Sequence, residues 1–228
     1  MKSRRWLDGL VVAGIFSPLL FAQGPEISLP RPGAVVVTQI AGQVTVASGE
    51  QGRPIKVDDR LRVGSIVTTA RKSFLVLTFS NGAVTELGPE SELEVEEFSQ
   101  SPISGNVKFA ELTAEPTLSK TRLRLVRGDV TIFVKPLKIA RGSSFLISIP
   151  AGTVRVGDGT VRAMIRMSDV GLGVCTLELQ KGAAEYEPPN GAFTPMPLGR
   201  KLAFALEVDK ASGEIKVGEM PKEIPPKK

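Results

Sequence analysis

The side chains of this chain that could carry out chemistry are, almost without exception, carboxylates and cations. The 228-residue sequence contains no histidine and a single cysteine, Cys175. The lack of histidine excludes Ser-His-Asp and Cys-His catalysis and His-ligated zinc or non-haem iron sites. One cysteine cannot hold a thiolate metal cluster, and its place between Val174 and Thr176 predicts a buried small hydrophobic residue. We therefore assign no catalytic residue, no metal ligand and no cofactor.

Adjacent carboxylates at Asp58 and Asp59 are the nearest approach to a hydrolytic site. A glycosidase needs two carboxylates that face each other across a cleft and differ in pKa. Aromatic rings for stacking sugars are scarce, because the only tryptophan is Trp6 and the only tyrosine, Tyr186, is predicted to pack in the core. The glycines of 171–173 lack the third glycine of a dinucleotide site. The sequence thus predicts that the chain is not an enzyme, and a carbohydrate-active hydrolase is the least favoured interpretation.

Two stripes of charge recur with a period of two residues, which places each stripe on one face of a strand. The acidic stripe is Glu90, Glu92, Glu94 and Glu96, and the basic stripe is Lys120, Arg122 and Arg124. A functional interpretation is a calcium or basic-partner surface for the first and an anionic-ligand surface for the second. A structural interpretation is a solvated face, or charges that discourage aggregation at a sheet edge. A sharper hypothesis is that the two strands are neighbours, so that Glu94 lies close to Arg124.

The elements that would position these charges are short strands, spaced roughly 8–12 residues apart and separated by turn residues. Asn81-Gly82 predicts a two-residue type I′ turn between the strands of a central hairpin, 74–95. Gly157-Asp158-Gly159 predicts a second tight turn, and Gly42, Gly128 and Gly182 each predict a corner that opens a new strand. We therefore expect an all-β fold with little or no helix, built as a single sandwich, a roll or a short solenoid.

The chain is predicted to contain one domain behind an export signal. Lys2, Arg4 and Arg5 precede an apolar stretch that ends at Ala22, which is typical of a signal peptide. We assign 1–22 to that signal, 23–32 to a linker, 33–218 to the β domain and 219–228 to a disordered Pro- and Lys-rich tail. Cleavage predicts a periplasmic or secreted protein without a stable membrane span, whereas retention of the segment would anchor it. Removal of the signal takes away three cations and Asp8, so the net charge falls from +5 to about +3, which is mild and does not indicate a nucleic-acid partner.

Short motifs in the first half of the domain resemble the FecR domain family. The family pattern runs G-x-V-x-V, L-x-x-G-D/S-x-I-x-T, L-x-F-x-D/N-G-S and L-x-P-x-S-x-L, followed by L-x-x-G-x-V. The matching segments are 42–46, 61–69, 77–83, 87–93 and 125–130. The residues that carry the pattern are Gly42, Gly64, Thr68, Asn81, Gly82, Pro89, Ser91, Leu93 and Gly128. Beyond residue 135 the sequence departs from the family, since 154–160 lacks its V-R-G-T motif.

The resemblance implies an extracytoplasmic all-β module with a protein or cell-envelope partner. In the regulator after which the family is named, the module senses an outer-membrane transporter and signals through a membrane helix to a segment that controls a sigma factor. The apolar segment here begins near residue 7, and no cytoplasmic helical domain is predicted before it. We therefore do not expect this chain to regulate a sigma factor. The leading hypothesis is an exported, non-catalytic binding module. The alternative is a membrane-anchored sensor in a signalling pathway.

Overall fold

The computed structural model describes residues 33–49, 52–104, 109–209 and 212–218. The predicted signal peptide, linker and tail lie outside these residues. No helix in the described part is long and apolar enough to cross a membrane.

Fifteen strands account for most of the described chain. The first eight are β1 (Val35–Ala41), β2 (Val44–Ala47), β3 (Gly52–Pro54), β4 (Arg60–Leu61), β5 (Ile66–Thr69), β6 (Phe74–Phe79), β7 (Val84–Leu87) and β8 (Glu92–Gln100). The other seven are β9 (Ser119–Val134), β10 (Ser144–Ile149), β11 (Gly152–Met167), β12 (Leu172–Glu187), β13 (Thr194–Pro195), β14 (Lys201–Val208) and β15 (Ile215–Val217). Two one-turn 3-10 helices, Phe109–Glu111 and Ile139–Arg141, complete the described elements. The all-β prediction is confirmed.

Alternation of apolar and polar residues explains why these segments are strands with one buried face. In β10, Phe145, Ile147 and Ile149 are buried, while the residues between them are half-buried. The same period of two runs through β8, where Leu93 and Val95 are fully buried between glutamates. The buried faces form one continuous aliphatic core, as expected from the low aromatic content.

The strands form a single branched sheet in which β9 is the central member. The N-terminal half of β9 pairs with β8 and, in parallel, with β10, whereas its C-terminal half pairs with β7 and β11. Phe79 of β6 contacts Phe98 of β8 with ring centroids 5.2 Å apart, and Phe145 of β10 at 6.2 Å. Since β6 pairs with neither β8 nor β10, the sheet folds over itself around these rings. A roll describes this arrangement best among the predicted architectures.

Two predicted breaks in the chain are wrong. β9 and β12 continue through Gly128 and Gly182, and both strands are 16 residues long. The tight turn predicted at 157–159 is also absent, because β11 runs without interruption from Gly152 to Met167. Gly159 and Gly182 lie opposite each other in the ladder, and the register shifts nearby. Glycine therefore bends and bulges these long strands instead of reversing the chain.

The central hairpin has a three-residue loop and not the predicted two-residue type I′ turn. Phe79 pairs with Ala83 through the Phe79 N–H and the Ala83 carbonyl, which are 2.9 Å apart. Gly82 has a φ of +88°, whereas Asn81 is not among the residues with positive φ. A type I′ turn requires positive φ at both central residues, so this loop belongs to the class that ends in a single left-handed glycine.

Predictions for two core residues are confirmed. Cys175 is fully buried, and burial raises the pKa of its thiol to about 12. Tyr186 is also buried; its ring lies 5.1 Å from that of Phe204 and its hydroxyl donates to the carbonyl oxygen of Ala151. Burial raises the pKa of Tyr186 to about 12. Both side chains are packing residues.

Candidate functional site

The motif residues near β5, β8 and β9 meet at a buried junction. The Thr69 hydroxyl donates to the carbonyl oxygen of Gly88 at 2.6 Å and accepts the backbone N–H of Ser91 at 2.9 Å. The Ser91 hydroxyl in turn accepts the backbone N–H of Asp129 at 2.9 Å. A Cβ atom on Gly128 would overlap Ser91, and Gly128 has a φ of +91°. These contacts satisfy backbone groups where three strands converge, so the junction is structural.

These hydrogen bonds are made by Thr69, whereas the pattern residue Thr68 next to it takes no part in them. Thr68 lies on the outer face of β5, between Thr45 of β2 and Glu92 of β8 in the ladder. Thr69 is buried on the opposite face of the pleat. The two residues have the same type and adjoin in sequence, so only their position on the pleat distinguishes them.

The remaining pattern residues of the first half occupy turns or the core. Gly42 lies between β1 and β2 against Ser73, whose hydroxyl accepts the backbone N–H of Gln43 at 2.9 Å. Gly64 is in the turn before β5 with φ +83° and open space around it. Pro89 is in the turn before β8, and Leu93 is fully buried.

Asn81 is buried and connects the central hairpin to β9. Its amide nitrogen donates to the hydroxyl oxygens of Ser119 and Thr121, at 3.1 and 3.2 Å, and its amide oxygen accepts the N–H of Ala83 at 3.0 Å. Next to it, Gly82 leaves room for the side chains of Leu112 and Lys135. The side chain of Asn81 is thus fully used within the fold.

A buried carboxylate that the sequence analysis missed extends this network. Glu115 is 2% exposed; one of its oxygens accepts the Ser119 hydroxyl at 2.8 Å and the other accepts the Lys138 N–H at 2.6 Å. Through these contacts Glu115, which precedes β9 in the chain, binds the backbone at Lys138, which follows β9. Nothing in the spacing around residue 115 distinguishes it from an exposed glutamate.

The strands that carry the two charge stripes are neighbours, which confirms the hypothesis for Glu94 and Arg124, whereas Lys120 and Arg122 lie opposite residues outside the acidic stripe. Glu94 and Arg124 are partners in the β8–β9 ladder and form an ion pair. Arg124 Nε also lies 3.0 Å from Glu96, and Arg127 lies 3.1 Å from Glu92. The hydrogen bond to Glu94 raises the pKa of Arg124. Glu90 departs from the stripe, since it precedes β8 and lies 3.3 Å from Arg71.

The adjacent aspartates do not form a catalytic pair. Asp59 accepts the Arg53 guanidinium at 2.8 Å and the Lys56 N–H at 3.1 Å, and these hydrogen bonds lower its pKa. Asp58 occupies a turn with φ +70°. Within the described ranges, no cluster of three or more His, Cys, Asp or Glu residues could hold a metal ion.

An apolar groove of about 310 Å³ crosses the outer face of the sheet beside the junction. Its lining residues from β1, β6, β7 and β9 and the adjoining turn are Gln39, Phe74, Val76, Glu86, Leu87, Gly88, Asp129 and Thr131. Phe74 is 37% exposed, although it is a large aromatic residue. Asp129 is neutralised by Arg162, with an oxygen 2.9 Å from Nε. Glu86 is exposed and has no ion-pair partner among the described residues. The groove therefore offers an apolar floor with one available carboxylate.

No protein-family profile and no curated protein matches the chain. Two crystal structures of a candidate anti-sigma factor from Parabacteroides distasonis, at 2.50 and 1.65 Å resolution, are similar in part. Each has a TM-score of 0.44 and 13% sequence identity over 67% of this chain. The aligned part spans 58% of that protein's length.

Proposed function

We propose that the chain is an exported, non-catalytic FecR-like module that binds a protein of the cell envelope through the groove around Phe74. The observation that carries the proposal is an exposed aromatic ring beside an unpaired carboxylate. On the neighbouring β8–β9 face, by contrast, the carboxylates Glu92, Glu94 and Glu96 are each used in an ion pair. Exposed aromatic residues in apolar depressions are typical of protein contact sites.

The groove specifies the chemistry of its partner. Phe74 and Val76 fit an apolar side chain, and Glu86 fits a lysine or arginine placed next to it. An extended segment with one apolar and one basic residue meets both requirements. We therefore expect a protein partner with such a segment.

The direct test is capture of partners from envelope extract with the chain as the cell processes it. Wild type, Phe74→Asp and Val63→Asp serve as bait; Val63 is 56% exposed in a turn outside the groove and is the matched control. The proposal requires a protein, identified by mass spectrometry, that wild type and Val63→Asp retain and Phe74→Asp loses. Binding is then reproduced with that purified protein and abolished by Glu86→Lys. Identical capture by all three baits contradicts the proposal.

A second candidate function is a membrane-anchored sensor that passes information to a separate membrane protein. The apolar stretch behind Lys2, Arg4 and Arg5 favours it, because an uncleaved segment would tether the module to the membrane. Mass spectrometry of the protein purified from membranes decides between the two. A mature N-terminus at Gln23 removes the anchored sensor, and an intact N-terminus supports it.

A further inference from the structure

An apolar patch lies on the outer face of the sheet where β11, β12 and β14 run side by side. Its central residues are Leu172 and Val174 of β12, which are 55% and 47% exposed. Val174 lies opposite Ala205 of β14, and Val170, in the turn between β11 and β12, is 64% exposed. Large aliphatic side chains this exposed on adjoining positions mark a contact surface. We call Leu172, Val174 and Ala205 the β12 patch.

Charges on this face are mostly satisfied within the sheet. Three ion pairs surround the β12 patch: Arg162 with Asp129, Lys201 with Glu178 and Lys216 with Asp209. Each joins residues of neighbouring elements, so these charges need no external partner.

Two strand residues on the same face are exceptions, and their charges flank the β12 patch on opposite sides; Asp169, in the turn between β11 and β12, is a third exposed charge without an ion pair among the described residues. Arg166 of β11 lies opposite Val174, and Glu207 of β14 lies opposite Leu172. Both are exposed, and neither has an ion-pair partner in the part of the chain that the structure describes. They are two strands apart, about 10 Å across the sheet, with the patch between them. They form no ion pair with each other within one copy.

We propose that the β12 patch binds a second copy of this chain about a two-fold axis along β12. Such an axis places the β12 patch of one copy on the β12 patch of the other. The β11 side of one copy then lies over the β14 side of its partner. Arg166 then faces the partner's Glu207, and Glu207 faces the partner's Arg166. The β12 patch is then buried, and the four charges of the dimer form two symmetric ion pairs. An anionic lipid surface fits less well, because Glu207 and Asp169 would meet it as well as Arg166.

The proposed dimer is a weak one. Three strands of sheet surface offer less than the roughly 1,200–2,000 Å² buried in standard protein interfaces. Dissociation in the micromolar range or above is therefore expected, and the groove around Phe74 stays outside the contact. This inference is independent of the proposed function, since it uses other residues.

Reversing the charges of Arg166 and Glu207, singly and together, tests the geometry of the dimer. Sedimentation equilibrium of the exported chain at low salt should show self-association. Arg166→Glu alone and Glu207→Arg alone should each weaken self-association about tenfold or more, since each replaces two attractions by two repulsions. An equimolar mixture of the two single variants should associate again, because every contact then joins opposite charges. The double variant should also recover.

Two controls keep the result interpretable. Arg141→Glu changes an exposed charge in the 3-10 helix Ile139–Arg141, outside the β12 patch, and should leave self-association unchanged. Val174→Asp should abolish self-association while circular dichroism shows an unchanged fold. A chain that stays monomeric at all concentrations overturns the proposal. So does a mixture of the single variants that associates no better than either variant alone.

Discussion

Thr69 joins the end of β5 to both ends of the turn between β7 and β8 through one hydroxyl group. Thr69→Val keeps the shape and strand propensity of the side chain but leaves the Gly88 carbonyl and the Ser91 N–H without their partner. Buried polar groups that lose a hydrogen-bond partner cost about 1–3 kcal/mol each. We expect the free energy of unfolding, measured by urea denaturation, to fall by about 2 kcal/mol or more.

Thr68→Val is the matched control for this loss. The side chain of Thr68 lies on the outer face of the same strand, so its replacement should change stability by about 0.5 kcal/mol or less. Equal destabilisation by the two variants would show that the junction does not depend on the Thr69 hydroxyl.

The sequence can indicate which residues of this kind are structurally important, but it does not show which distant residues they contact. The FecR-like pattern located Ser91 and Gly128, whose contact joins segments 37 positions apart, yet it gave no reason for that contact. The Asn81-Gly82 pair predicts a tight turn, and thus only a backbone role for Asn81. Its hydrogen bonds to Ser119 and Thr121 depend on pairing between distant strands, which local sequence does not encode.

At the scale of the element, Gly128 determines the bend of β9. Its φ of +91° is unfavourable for any other residue, and a Cβ atom would overlap Ser91. Gly128→Ala therefore adds left-handed strain of about 1–2 kcal/mol to a steric clash in a packed region. We expect thermal and urea unfolding to show a total loss of about 3 kcal/mol.

Gly64→Ala is the control that measures left-handed backbone strain without a steric clash. Gly64 has a similar φ of +83°, but nothing lies within 4 Å of the position that a Cβ atom would take. This variant should lose only the strain, about 1–2 kcal/mol. If Gly128→Ala proves no worse than Gly64→Ala, close packing against Ser91 does not explain the glycine.

The ion pairs between β8 and β9 give a smaller, salt-dependent contribution. Arg124→Ala removes contacts to Glu94 and Glu96 on a partly exposed face. Exposed pairs contribute about 0.2–1 kcal/mol each, and 1 M salt shortens the screening length to about 3 Å. We expect a loss of about 1 kcal/mol in low salt and a smaller difference from wild type in 1 M NaCl. A difference that is equally large in high salt would indicate lost packing of the arginine stem instead.

Element type was predictable here, but element length was not. Alternation identified β8 and its glutamates, and even their pairing with the basic strand. The 16-residue strands were divided in the prediction because glycine marks both turns and bulges. Whether Gly128 ends a strand or bends it depends on the cross-strand neighbour, which is a property of the tertiary structure.

At the scale of the whole molecule, β9 joins two groups of strands: β1 to β8 lie on one side of it and β10 to β15 on the other. These groups are the two halves of the sheet. Only the pairing of β9 with β8 was predictable, from the two charge stripes; its pairings with β7, β10 and β11 join segments that carry no comparable pattern. The sequence established an aliphatic all-β domain, and this one strand determines how the sheet closes around its core.

A shared central strand predicts a single cooperative unfolding transition. Neither half can open without breaking ladder contacts of β9, which pairs with β7 and β8 of one half and with β10 and β11 of the other. The core is continuous across both halves. We therefore expect the calorimetric and van't Hoff enthalpies to agree. Amide hydrogen exchange should show β6 and β11 protected to the same extent, since both open only with the global transition. Gly128→Ala should lower this one transition temperature and should not create a second transition. Two resolved transitions, or β11 exchanging while β6 remains protected, would show that the halves are separate folding units connected by β9.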